Sequence, residues 1–223
     1  MRTPHGLLQN DQERAWRGEH GDAYNRRSPG NEEANYQLFR QIFGGIHGGL
    51  SGQFRPIDTV LELGAGTGAN VRALSRVIPL ARFDAVEVNA QACEVLMNSS
   101  PCSLVLNFSV LDWKPDRAYD LVLSKGLLIH IAPEDLIQAY DTIHQAARRW
   151  ILLAEYYNPT RVAIPYRGQN NLLWKADYAG EMLERYPDLH LVDYGFVYRR
   201  DRYPQDDITW FLLEKRPIEG AAA

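Results

Sequence analysis

The chain has 223 residues, which fits one large domain or two small ones, and a formal net charge of −4. This mildly acidic balance, without a long basic run, makes nucleic acid and anionic membranes poor partners. No run reaches the roughly 20 apolar residues that span a bilayer. The two cysteines show neither CxxC spacing nor a Cys/His cluster, so we expect a reduced, cytoplasmic protein that binds no metal.

Residues 1–50 form a polar segment that glycines interrupt several times. Apolar residues recur at helical spacing in 31–43, which predicts an amphipathic helix. Earlier in the segment, Trp16, Tyr24 and Arg27 are candidates for a helical lid over a site in the rest of the chain, and Tyr24 is a candidate substrate contact. No linker divides the chain, so we expect this lid segment and residues 51–218 to form a single domain.

From residue 59 onward, short apolar runs alternate with amphipathic segments. This alternation predicts an α/β fold with a mostly parallel sheet covered by helices on both faces. After residue 157 the rhythm changes to a loop over 158–176, a short helix, and two closing strands that we expect to pair as an antiparallel hairpin at the sheet edge. The predicted strands are 59–63, 82–88, 103–108, 119–124, 150–157, 189–200 and 208–216, and the predicted helices after the lid are 69–79, 90–97, 133–147 and 178–186.

The stretch VLELGAGTGAN places Gly64, Gly66 and Gly68 at the turn between the first strand of this series and its helix. Ligands bind at such turns in open parallel sheets, and glycine lets them approach the backbone. The stretch also approximates the dinucleotide fingerprint, but Glu62 just before it disfavours a pyrophosphate and favours a cationic ligand. Glu87 ends the next strand, where a carboxylate can accept hydrogen bonds from ribose hydroxyls.

The stretches VLELGAGTGAN, AVEVNAQA, YDLVLSKGLLIHIAPEDL and WILLAEYY together resemble the class I, Rossmann-like S-adenosylmethionine-dependent methyltransferases over about residues 55–215. This resemblance implies a seven-stranded sheet of order 3-2-1-4-5-7-6 whose last strand is antiparallel. It implies S-adenosylmethionine as the cofactor, and it assigns these residues to cofactor binding: Glu62, Gly64, Gly66 and Gly68 around the methionine part, Glu87 at the ribose, Ser109 and Val110 in the adenine loop, and Ser124 at the end of the fourth strand.

One position departs from that pattern, because the family often has an acidic residue where this chain has Ser109. Asp112 lies three residues further on, which leaves open which side chain meets the adenine amine.

The two ends of the chain show a narrower resemblance. AWRGEHGDAYNRR, EYYNPTRVAIPYRG, LLWKADYAGEML and DYGFVYRRDRYPQDDITWFLLEK are similar to methylases associated with pseudaminic acid biosynthesis. The azetidine-2-carboxylate synthases, which cyclise S-adenosylmethionine itself, share this kind of scaffold.

Candidates for the chemistry lie at the ends of the fourth and fifth strands and before the next helix. His130 has a suitable unperturbed pKa for a general base, and it could equally be a packing residue. Glu155 and Asp177 are alternative bases, and Asp177 could instead be a helix N-cap. Tyr156 and Tyr178 could hold a sulfonium against their rings. Candidate contacts to the substrate, besides Tyr24, are Lys125, Asn158 and Arg167.

Three functional hypotheses follow. Methyl transfer to a small polar acceptor, such as an amino sugar, an amine or a carboxylate-bearing metabolite, is favoured. Cyclisation of S-adenosylmethionine to azetidine-2-carboxylate and methylthioadenosine would use the same residues, and a non-catalytic cofactor-binding module is the third. The sequence leaves open whether the protein forms a homodimer.

Overall fold

The computed structural model describes residues 10–27, 30–48, 57–166 and 172–217. Its main sheet has seven strands in the order β3-β2-β1-β4-β5-β9-β8. A separate two-stranded sheet pairs β6 with β7. The strands are β1 (Thr59–Leu63), β2 (Arg82–Glu87), β3 (Cys102–Asn107), β4 (Tyr119–Lys125), β5 (Ala147–Glu155), β6 (Val162–Ala163), β7 (Trp174–Lys175), β8 (Leu189–Val197) and β9 (Ile208–Lys215).

Seven α-helices surround the sheet in the described ranges. They are α1 (Asp11–Arg17), α2 (Glu19–Arg27), α3 (Glu32–Gly48), α4 (Ala69–Ser75), α5 (Ala90–Ser99), α6 (Leu136–Ala146) and α7 (Tyr178–Arg185), and a short 3₁₀ helix covers Leu128–His130. None of these helices combines the length and the apolar character needed to cross a membrane.

The sheet confirms the predicted topology. Strands β1 to β5 run parallel, β9 pairs antiparallel with β5, and β8 pairs antiparallel with β9. Counted within the main sheet alone, this is the order 3-2-1-4-5-7-6. The closing strands form the expected hairpin, although β9 lies inside the sheet and β8 at its edge.

Alternating side chains of the central strands pack on opposite faces of the sheet. Ile151 and Leu153 of β5 belong to the core that includes α6 and α7, whereas Trp150 and Leu152 belong to the core that includes α3 and α4. Because both faces are buried, these strands are apolar throughout, as is usual for parallel sheets.

The N-terminal segment contains two short helices that the glycine-rich sequence did not reveal individually. Gly18 caps α1, and Gly21 lies inside α2 where an added Cβ would come within 2.0 Å of the Trp16 carbonyl oxygen. The close approach of the two helices therefore requires glycine at position 21. Asn89, which caps α5, holds both helices by donating to the Trp16 carbonyl (3.1 Å) and to Asp22 (2.7 Å).

Residues 158–176, predicted as a loop, contain the small β6–β7 hairpin. Its backbone joins the end of β5, because the Asn158 N–H donates to the Ala176 carbonyl oxygen. Arg161 also binds the carboxylate of Glu181 on α7, at 2.6 and 2.7 Å. Two-residue strands such as these carry too little periodicity to be recognised in a sequence.

Candidate active site

A cavity of about 640 Å³ lies at the carboxyl ends of β1, β2 and β4, beneath α1 and α2. Its position is the one at which open parallel sheets bind ligands. Its size falls in the range of small-molecule sites. The N-terminal helices contribute Glu13, Trp16, Tyr24 and Asn25 to its wall.

The three glycines of the β1–α4 turn all have positive φ, but for different reasons. A Cβ on Gly64 would lie 2.9 Å from Leu127 Cδ1, and one on Gly68 would lie 2.5 Å from Leu96 Cδ1. A Cβ on Gly66 would meet nothing closer than 4.0 Å. Gly64 and Gly66 line the cavity, whereas Gly68 lies outside it and begins α4. Gly66 is therefore the glycine of this turn that leaves open cavity space beside its backbone.

Glu87 lies at the end of β2 and holds this turn in place. One carboxylate oxygen accepts the Gly66 N–H at 2.8 Å and the other accepts the Asn89 N–H at 2.7 Å. The side chain is buried in the cavity wall, and burial raises the pKa of its carboxyl group. Each oxygen has a further lone pair, so the carboxylate can still accept hydrogen bonds from a ligand.

Glu62 lies below the cavity floor and does not line it. Asn70 Nδ2 donates to its Oε1 at 2.7 Å, and its Oε2 has no hydrogen-bond partner among the described residues. Burial raises the pKa of this carboxyl group to about 8. Asn70 and Lys125 form the cavity surface above it, and burial lowers the pKa of the Lys125 ammonium group.

The loop after β3 carries Ser109 and Asp112, the two residues between which the sequence left the adenine contact open. Ser109 and Val110 line the cavity, and the Ser109 hydroxyl accepts the Leu111 N–H at 3.1 Å. Asp112 is exposed outside the cavity, where it faces Arg17 at 3.8 Å. Asp112 is therefore directed away from a ligand in this cavity.

Glu155 and Ser124 form a buried anchor beneath the cavity. The Ser124 hydroxyl donates to Glu155 Oε1 at 2.8 Å, and the same oxygen accepts the N–H groups of Leu127 (3.1 Å) and Leu128 (3.2 Å). Burial raises the pKa of the Glu155 carboxyl group to about 7. Neither side chain lines the cavity, so the pair shapes the turn that carries His130 and does not face a substrate.

His130 lines the cavity in a defined tautomer. Its Nδ1 lies 2.6 Å from the Leu172 carbonyl oxygen, which can only accept, so Nδ1 carries the proton. Its Nε2 has no hydrogen-bond partner among the described residues. Burial lowers the pKa of the imidazole to about 4, which keeps the ring neutral. The rings of Trp16 and Tyr166 pack against it, with centroids at 4.4 and 5.8 Å.

The remaining sequence-predicted residues separate into two groups. Tyr156 and Tyr24 line the cavity, and Lys175 lies over the Tyr156 ring at 5.2 Å. Asp177 caps α7 by accepting the Gly180 N–H at 2.8 Å, and the Tyr178 hydroxyl donates to the Trp174 carbonyl oxygen at 3.0 Å.

Asp177 and Tyr178 are absent from the described cavity wall, as is Asn158, whose amide donates to Thr160. Arg167 lies outside the described residues.

Several cavity residues had no signal in the sequence. Gln205, in the β8–β9 turn, donates to Asn35 of α3 at 2.9 Å, and both side chains are buried in the cavity wall. Asp206 follows with φ of +51°. Glu13 lines the wall from α1. Gln205 and Asn35 meet across 170 positions of the chain. Contacts over such a separation are revealed only by the tertiary fold.

No group of three or more His, Cys, Asp or Glu side chains within the described ranges is arranged to hold a metal ion.

Residues 60–149 match the family model described as a methyltransferase domain. Among curated protein sequences, none matches this chain significantly. Several solved structures match this chain significantly. A 1,6-didemethyltoxoflavin N1-methyltransferase from Burkholderia thailandensis, solved with its substrate and S-adenosylhomocysteine, has a TM-score of 0.67 at 18% identity, covering 96% of this chain and 93% of that one.

The chain has the class I methyltransferase fold. Magnesium protoporphyrin IX methyltransferase from Synechocystis, solved with S-adenosylmethionine, matches with a TM-score of 0.64 at 11% identity, covering 95% of this chain and all of that one. A sugar N-methyltransferase from Streptoalloteichus matches with a TM-score of 0.62 at 12% identity, covering 97% and 99%.

The domain match and the solved structures confirm the predicted fold, and the ligands of these neighbours agree with S-adenosylmethionine as the predicted cofactor. The narrower resemblance to pseudaminic acid methylases stays a prediction.

Proposed function

We propose that this protein is an S-adenosylmethionine-dependent methyltransferase acting on a small polar acceptor. The observation that carries the proposal is the cavity at the ends of β1 and β2, where Gly66 leaves open space beside its backbone and Glu87 keeps free lone pairs. Gly64 and Gly66 would hold the methionine part, Glu87 the ribose, and Ser109 and Val110 the adenine.

The residues of the cavity fit a cation better than a pyrophosphate. Glu13, Glu87 and Asp206 line it, and Lys125 is the one Lys or Arg among its described lining residues. This excess of carboxylates over cationic side chains in the cavity wall favours a ligand that brings positive charge.

S-adenosylmethionine supplies an electrophilic methyl group carried on a sulfonium. On the protein side, His130 Nε2 is a neutral acceptor on the cavity wall and would take the proton released by the acceptor. The Nδ1 hydrogen bond to Leu172 fixes the ring, and Glu155 fixes the turn beneath it. Trp16 and Tyr24 of the N-terminal helices would exclude water from the reacting groups.

Asp177 and Tyr178, which either reaction could have used, form hydrogen bonds within their own helix and hairpin and do not line the cavity. Methyl transfer is favoured over cyclisation because the solved structures that share this fold are methyltransferases. His130 and Tyr156 remain in the cavity, where a separate acceptor would meet them.

Calorimetry with S-adenosylhomocysteine and with NADH tests the cofactor. Binding of S-adenosylhomocysteine alone is expected, and binding of NADH alone would reject the proposal. Incubation with S-adenosylmethionine alone, followed by mass spectrometry, separates the three hypotheses. We expect no methylthioadenosine without an acceptor, and S-adenosylhomocysteine once a suitable amine or amino sugar is added. Methylthioadenosine with azetidine-2-carboxylate above the spontaneous rate would establish the cyclase instead, and binding without turnover of any acceptor would favour the non-catalytic module.

A further inference from the structure

Ser109 to Leu111 form one side of the cavity, and most hydrogen-bond acceptors of this loop already bind donors of the protein itself. The Ser109 hydroxyl oxygen accepts the Leu111 N–H, and the Ser109 carbonyl oxygen accepts the N–H groups of Asp112 and Trp113 at 3.2 and 2.9 Å. The Leu111 carbonyl oxygen accepts from the Gln138 side chain. In the proposed function the adenine lies against this loop, and its 6-amino group brings N–H donors that need an acceptor when buried.

Helix α1 lies along this loop. Arg17, in its last turn, reaches to 3.8 Å from Asp112, and Asn10, its N-cap, donates to Asp135 just before α6. Glu13 lies one helical turn before Arg17, and residues at this spacing share one helix face. Glu13 lines the cavity wall. Its spacing from Arg17 places it on the side of α1 that faces the loop.

Glu13 is the carboxylate on this side that keeps an unused oxygen. Its Oε1 is buried and has no hydrogen-bond partner in the described structure. The other two carboxylates of the described cavity wall are placed elsewhere. Glu87 uses both oxygens to hold Gly66 and Asn89, and Asp206 belongs to the β8–β9 turn, within electrostatic reach of Lys125.

We propose that Glu13 accepts a hydrogen bond from the 6-amino group of the cofactor's adenine. This inference rests on the proposed function, and it gives the N-terminal segment a role in cofactor recognition besides covering the cavity. It also explains how a loop that carries Ser109, with Asp112 turned outward, can select an adenine.

The test compares two ligands that differ at one group. S-adenosylhomocysteine carries the 6-amino group, whereas S-inosylhomocysteine carries an oxygen there, which would oppose the Glu13 carboxylate. Calorimetry should show at least tenfold tighter binding of the adenine compound to the wild-type protein. In Glu13→Gln, whose amide can donate to that oxygen, the preference should fall to about threefold or less.

Two matched variants serve as controls. Glu19→Gln changes an exposed glutamate of the adjacent helix, and Asp112→Asn changes the outward carboxylate of the loop; both should keep the wild-type preference. Thermal melting establishes that each variant is folded.

An unchanged preference in Glu13→Gln, or a preference lost in Asp112→Asn, would overturn the assignment. Equal binding of both compounds to the wild-type protein would overturn it while leaving the proposed function intact. Binding of neither compound would reject the proposed function together with this inference.

Discussion

At the scale of single residues, His130 joins two properties that a general base requires. Its donor nitrogen is bound to the Leu172 carbonyl oxygen, so the ring cannot rotate freely, and its other nitrogen is an acceptor in the cavity wall. Because burial lowers the pKa of its imidazole to about 4, the ring is neutral at pH 7.

Replacing His130 with alanine should lower kcat by about 100- to 10,000-fold, the usual contribution of a general base. The affinity for S-adenosylhomocysteine should change by less than about threefold, because the assigned cofactor contacts remain. The wild-type rate should not fall between pH 8 and pH 5 through titration of this ring. Steady-state kinetics and calorimetry measure both quantities, and a large loss of cofactor affinity with unchanged kcat would contradict a role as base.

Glu87 holds the backbone of the glycine turn, and in the proposed function it also binds the ribose of the cofactor. Glu87→Ala should weaken S-adenosylhomocysteine binding by about 1.5–3 kcal/mol, the value of hydrogen bonds to a charged acceptor. Glu94→Ala, an exposed change on α5, is the matched control and should bind like the wild type. Equal calorimetric affinities for the two variants would remove Glu87 from the site.

At the scale of elements, the β1–α4 turn uses its glycines for separate tasks. Gly64 and Gly68 leave room for Leu127 and Leu96, whereas Gly66 leaves room in the cavity. All three have positive φ, a conformation that costs other residues roughly 1–2 kcal/mol.

This difference predicts that one alanine variant mainly loses cofactor binding and the other mainly loses stability. Gly66→Ala should lower the free energy of unfolding by only about 1–2 kcal/mol, and its methyl group should obstruct cofactor binding by tenfold or more. Gly68→Ala adds a clash with Leu96 to the same backbone strain, so it should lose more stability. Urea unfolding measures the stabilities, and S-adenosylhomocysteine titration measures the binding. The two glycines would not have separate roles if both variants lost cofactor affinity and unfolding free energy in the same proportion.

At the scale of the whole molecule, two buried acids are expected to lower the free energy of unfolding as the pH rises. The pKa values of Glu62 and Glu155 are raised to about 8 and about 7 by burial, from an ordinary value of 4.5. A raised carboxyl pKa means that the folded state holds the proton more tightly than the unfolded state. The resulting stabilisation is complete below about pH 4.5 and is lost as the pH rises through 7 and 8.

Glu62→Gln should remove most of this pH-dependent loss of unfolding free energy, because the amide has the shape of the protonated acid and does not ionise. Relative to the wild type, the variant should gain roughly 2–4 kcal/mol of unfolding free energy between pH 5 and pH 9, at about 1.4 kcal/mol per pKa unit. Urea unfolding at the two pH values measures the gain. If the free energy of unfolding changed with pH by the same amount in the variant and the wild type, Glu62 would not ionise between pH 5 and pH 9.

The sequence by itself predicted the alternation of strands and helices from α3 onward and the glycine turn after the first strand, whereas the strand order came from the family resemblance. Strands that are apolar throughout, alternating with amphipathic helices, allow few arrangements other than a doubly covered parallel sheet. The positions of Gly64, Gly66 and Glu87 follow from this, since the two glycines lie in the turn after β1 and Glu87 is the last residue of β2, at strand ends that form the cavity.

Only the tertiary structure decided which polar side chains face the cavity. Glu155, Asp177 and Tyr178 lie at the ends of their elements, as His130 does, yet their hydrogen bonds lie within the protein framework. Glu13 and Gln205 reach the cavity from opposite ends of the chain. Local periodicity reports which face of an element is buried, but the partner of a buried polar group depends on contacts between distant residues, which no local pattern encodes.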